Sequence, residues 1–186
     1  MSRIIVDGIR NTAASSDALT LSSDGKVTFP NNTGNILQVV STTKTDSFSA
    51  TSTSTAADIT GLSVTITPSS SSNKVFVMYS VHVAAAGNYG GQVILLVRDS
   101  TNLALATDVG SRSAGTSLVK GNETYGNCVS QHFLDSPSTT SATTYKLQHK
   151  DASTNNTIYI NRTGTDSNDA GYQRVTSSIT AMEIAA

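Results

Sequence analysis

The chain has 186 residues, of which only 13% are charged, and a formal net charge of −1. Lysine and arginine are scattered singly, so no basic run draws the chain to nucleic acid, and no apolar stretch nears the ~18 residues of a membrane-crossing helix. Cys128 is the only cysteine, which excludes an internal disulfide and leaves burial and chain association to supply stability.

Serine and threonine together make up roughly 30% of the chain, about twice the ordinary share. Such a composition could mean disorder, but Val, Ile and Leu are gathered into strand-length runs that can form a core. Threonine also suits a pleated surface through its branched Cβ. The first residues carry no apolar signal-peptide centre, which predicts a product made in the cytoplasm and not exported by a standard signal.

Residues 1–34 differ from the rest. DGIRN, SSDG and PNNTG give three turn signals in close succession, with short strand candidates at Arg3–Val6, Ala18–Leu21 and Lys26–Phe29. A segment this short cannot bury a core alone, so it must dock on its own domain, on sister chains or on a larger particle. Residues Pro30–Gly34 read as a hinge.

From Asn35 the punctuation becomes regular. Ile36–Ser41 and Thr45–Ala50 read as one long or kinked strand. In Ile59–Thr67, Leu62, Val64 and Ile66 alternate onto one face. Lys74–Ala85 places Val75, Val77, Tyr79, Val81 and Val83 on one face, and Phe76 and Met78 on the other. A strand apolar on both faces lies centrally or meets another chain. Gly87–Gly91 reads as a turn, Gln92–Arg98 as a second two-faced strand and Leu103–Val109 as a further strand. A long loop is expected over Gly110–Tyr125. Strands are expected at Asn127–Leu134, Thr143–Lys150, Thr157–Asn161 and Val175–Ile184. About eight strands at this spacing, with no helical periodicity, predict an all-β, jelly-roll-like antiparallel β-sandwich over residues 35–186, preceded by a short β-rich arm.

Candidate sites are few. His82, His132 and His149 fall in predicted strands, either as lone sheet histidines or as ligands meeting on a threefold axis. Asp166, Asn168 and Asp169 beside Gly171 offer oxygens in a turn, although not at calcium-loop spacing. Glu123, Asp135 and Glu183 are the carboxylates from which a glycoside-cleaving pair could come, and no GxSxG is present. Neither pattern marks an active site, and the reading is of a non-enzyme with no cofactor and no metal. Tyr89, Tyr125 and Tyr172 fall in predicted loops, where tyrosine is a good adhesive residue. Sequons at Asn122, Asn155 and Asn161 are of the kind a Thr-rich chain produces by chance.

The pattern ILQVV…TTKTDSFS…TSTSTAADITGLSVTITPSSSSNKVFVM, then DSPSTTSATTYKLQ, YINRT and the closing SSITAMEIAA, resembles the β-sandwich domain of structural proteins of tailed bacteriophages, especially marine and cyanobacterial ones. The likeness spans residues 36–186. SSDALTLSSDGKVTFPNNTGNIL is more weakly similar to the segments that lead into such domains. The resemblance implies a virion protein forming a trimeric knob, similar in outline to TNF-like trimers. The arm would attach it to other virion proteins of the tail or capsid, and its loops would face a host-surface glycan or protein. Phe76, Met78, Ile94 and Leu96 are the expected trimer interface. A capsid decoration protein is the alternative, and a carbohydrate-binding module, disfavoured by the absence of Trp, is a lesser one.

Overall fold

The computed structural model describes residues 8–9, 13, 17–21, 23, 25, 27–28, 34–86, 91–107, 110–120, 125–151 and 156–186. The expected strand Arg3–Val6, the hinge up to Thr33 and most of the Gly87–Gly91 turn lie outside these. The described residues hold fourteen strands and no helix. In the arm, β1 (Gly8–Ile9), β2 (Leu19–Leu21) and β3 (Val27–Thr28) form a small antiparallel sheet. The first of these falls in DGIRN, which was expected to be a turn. It is held instead as a strand by pairing with β2.

The first large sheet contains β4 (Ile36–Lys44), β5 (Phe48–Thr51), β7 (Lys74–Ala85), β11 (Asn127–Asp135), β13 (Thr157–Ile160) and β14 (Ser177–Ile184). β7 is its centre. Along one side runs β11, and along the other lie β14 and β13 end to end. β4 and β5 continue one another in the same way outside β14 and β13. The kinked strand expected over residues 36–50 is therefore a single outer line with a bend at residues 45–47.

The second sheet contains β6 (Ala57–Ile66), β8 (Gly91–Arg98), β9 (Thr101–Leu103), β10 (Ser117–Lys120) and β12 (Thr143–Asp151). β8 has β12 on one side, with β9 and β10 sharing the other. Each sheet thus has four lines of strand. In chain order the first sheet reads first, eighth, third, sixth, and the second reads second, seventh, fourth, fifth. That is the interleaved order of a jelly-roll-like sandwich, as expected. β10 lies in the stretch expected to be loop: SLVK is short and sits in glycine-rich surroundings, and only its ladder with β8 identifies it.

The core is the space between the sheets. Val75, Val77, Tyr79, Val81 and Val83 of β7 face Ile94 and Leu96 of β8, Tyr145 and Leu147 of β12, and Ile59, Leu62, Val64 and Ile66 of β6. Ile59 and Leu62 are three apart and both inward, which strict alternation forbids. Gly61, with φ +84°, resets the phase, and the β6–β12 ladder shifts register there. Two polar links also join the layers. Tyr145 donates to Asp135 at 2.6 Å, while Arg98 grips the same carboxylate at 2.7 and 2.9 Å. The Tyr79 hydroxyl lies 2.7 Å from Ser117 Oγ. Burial and the Asp135 carboxylate push the Tyr145 phenol far above its ordinary pKa.

Ile94 and Leu96 are fully buried in this core. They form the inward face of β8, so they cannot also form a surface between chains. Val93, Leu95 and Val97 on its other face make a second, smaller cluster with Ala56. Gly115 packs so closely on that face that a Cβ would lie 1.9 Å from Val93 Cγ1.

Candidate functional site

The outer face of the first sheet is the most distinctive surface among the described residues. Directly opposed residues in an antiparallel sheet project to the same side. The ladders set Leu134 opposite Phe76, Phe76 opposite Met182 and Met182 opposite Val39. One apolar row therefore crosses all four lines of strand. Val39 is 55% exposed and Leu134 49%, with Phe76 and Met182 half-buried between them. Ile184, opposite Ile36, and Met78, opposite His132 and Thr180, widen the row into a strip. Ile36, Leu37 and Met78 are also exposed.

Beyond Met78 the face becomes small and polar. Ser80, Ser130, Ser178, Thr180 and His132 surround Met78 in an open depression of about 300 Å³. His132 leans on Phe76, ring centroids 5.7 Å apart. Further along, Cys128 is exposed and lies 3.1 Å from Ser80 Oγ. The face ends at Tyr159, over which Arg162 stacks its guanidinium 4.7 Å from the ring centre.

Arg162 opens the excursion of residues 161–176 between β13 and β14. Asn161, buried and at φ +61°, anchors it. Its amide donates to the carbonyls of Lys44 and Asp46, and its oxygen accepts from Ser177 Oγ. The sequon at Asn161 is thus closed to modification in the folded chain. Inside the excursion Asp166 accepts from Arg162 and from Arg174 Nε and Nη2. Those hydrogen bonds, led by that of Arg174, hold its carboxyl below the usual range. Asp169 caps the backbone N–H of Gly171. The two carboxylates are thus committed to ion pairing and to a turn.

The histidines do not converge. His82 and His132 stand on the outer face of the first sheet, whereas His149 points inward from β12 onto Ser52 Oγ at 3.0 Å. Among the described residues no three His, Cys, Asp or Glu side chains are grouped to hold a metal ion. Asp135 belongs to the Tyr145–Arg98 link. Glu183 lies in a turn clamp, where its Oε1 accepts from Ser69 N, Ser69 Oγ and Asn73 Nδ2. Glu123 lies outside the described residues, as do Tyr89, Asn122 and Asn155. Tyr125 is exposed, with its carbonyl 3.1 Å from His82 Nε2, and Tyr172 is half-buried over the Asp169 turn.

Of the four expected interface residues, Phe76 and Met78 lie on this outer face. The sequence reading missed the residues that complete the strip: Val39, Met182, Ile184 and Leu134. Their signal is present in the chain, but it becomes legible only once strand register places them side by side.

No family model and no curated protein sequence matches the chain. Among solved structures it is similar to the infectious bursal disease virus VP2 subviral particle, at 13% identity and a TM-score of 0.42. The match covers 86% of this chain and 44% of that one, so the chain spans less than half the length of that neighbour.

Proposed function

We propose that the chain is a non-enzymatic structural subunit of a phage particle, a homotrimer whose sandwiches associate through the outer face of the first sheet. The observation that carries this reading is the apolar strip Val39–Met182–Phe76–Leu134, widened by Met78 and Ile184. Monomeric proteins rarely leave a contiguous apolar patch of more than a few hundred Å² open to water. Full burial of one such side chain contributes about 1.5–3 kcal/mol, so several per subunit suffice to hold an oligomer. The resemblance of residues 36–186 to phage virion sandwiches supplies the biological setting.

In this reading the arm anchors the trimer to other virion proteins and the sandwich projects as a fibre-type knob. Tyr125 and the 161–176 excursion are the surfaces offered to a host glycan or protein. The test is the copy number of the chain against the major capsid protein in purified particles, by quantitative mass spectrometry. Tens of copies fit a fibre or knob, and hundreds would replace the knob with capsid decoration. Absence from the particle would overturn the structural role.

A further inference from the structure

Among the described residues, the small arm sheet has one apolar face. Ile9 stands opposite Leu19 and Leu21 opposite Val27, and Leu19 and Leu21 are two apart on β2. All four therefore project to the same side. Gly8 and Thr20, opposite each other in register, take the other side. The apolar side is open, with Ile9 56% exposed, Val27 45% and Leu21 37%. Strands of two or three residues do not make a stable sheet while such a face stays in water.

Area and chemistry decide what covers it. Four partly open aliphatic side chains offer at most a few hundred Å², well below the ~800 Å² per partner of a standard interface. That is too little to capture a separate protein. It is enough to extend an association already held elsewhere, because symmetry brings equivalent segments together and raises their effective concentration. Among the described residues the face carries no charge, so a copy of itself meets no repulsion there. The assembly strip also begins at Ile36 and Leu37, nine residues after Val27 along the chain, so an association through the strip keeps equivalent arms within reach of one another.

We infer that the arm sheets of neighbouring subunits pack apolar face to apolar face, making the arm a self-association element that completes its core only in the oligomer. The inference rests on the homotrimeric reading above and names a second copy of this chain as the partner of the arm's apolar face, which leaves the arm's other surfaces for anchoring to virion proteins.

The test uses full-length protein carrying Cys128→Ser, with either Leu21→Cys on the apolar face or Thr20→Cys on the opposite face. Each is treated with a short bis-maleimide. Cross-linked peptides are identified by mass spectrometry, and the untreated samples are sized by light scattering. The expected result is the same oligomeric mass for both, with Leu21→Cys joined to its own copy at least tenfold more than Thr20→Cys. Equal or absent cross-linking at oligomeric mass would overturn the arm packing while leaving the assembly reading intact. In a variant that adds Val39→Cys, preferred joining of residue 21 to residue 39 of another subunit would overturn it too, by placing the arm on a neighbouring sandwich. A monomeric mass would overturn both.

Discussion

Glu183 is buried at the end of β14, yet its carboxylate belongs there ionised. Burial alone would raise its pKa. The hydrogen bonds from Ser69, Asn73 and the backbone of Ser69 and Ser70 outweigh that and bring it below the ordinary 4.5. The folded state therefore holds this proton less tightly than the unfolded chain, and the stabilisation is present above pH 4.5 and lost as pH falls below it. Glu183→Gln should cost about 1–3 kcal/mol at pH 7, and the deficit against wild type should shrink in urea denaturation at pH 3.5. His149 acts in a different window. Burial holds its imidazole below the usual 6.5, so the folded ring resists protonation, and stability falls as pH drops below 6.5. In thermal melts from pH 7.5 to 5, His149→Leu should be less stable at pH 7.5 for leaving Ser52 unpaired, and its midpoint should decline less steeply toward pH 5. Neither role is visible in the sequence, where both residues look like ordinary sheet positions. Burial and partners separated by up to 114 positions along the chain define them.

At the scale of elements, alternation was legible where it is unbroken. β7 keeps its alternation from Lys74 to Val83, and its bounds match the expected Lys74–Ala85. β6 shows where alternation fails, since Ile59 is inward only because Gly61 takes a left-handed φ. Gly61→Ala would strain that backbone and place a Cβ 3.3 Å from Lys44 Nζ. It should lower stability by about 1–2 kcal/mol in urea denaturation. A result at wild-type stability would show that the bulge does not depend on glycine. Asn161 joins three segments: β4, the bend after it and the start of β14. Asn161→Ala takes the side-chain donor from two carbonyls and the acceptor from the buried Ser177 hydroxyl, so a loss of about 2–4 kcal/mol is expected in the same assay. The sequence marked this residue only as a chance sequon, because its true partners lie far along the chain.

For the whole molecule, the class of fold could be read from strand spacing and turn chemistry, whereas the sorting of apolar residues between core and surface could not. Phe76, Met78, Ile94 and Leu96 are equally apolar and equally placed in two-faced strands. Only the pairing order shows that β8 turns Ile94 and Leu96 to the core and packs its other face under Ala56 and Gly115, while β7 leaves its second face open. The assembly reading therefore rests on the surface row, and the most direct measurement is the solution mass of the full chain by sedimentation equilibrium, for wild type and for Phe76→Asp. The account predicts three times the 19.3 kDa chain mass for wild type, and monomer or aggregate for the variant. A wild-type monomer, or a Phe76→Asp protein that stays a soluble trimer, would contradict it.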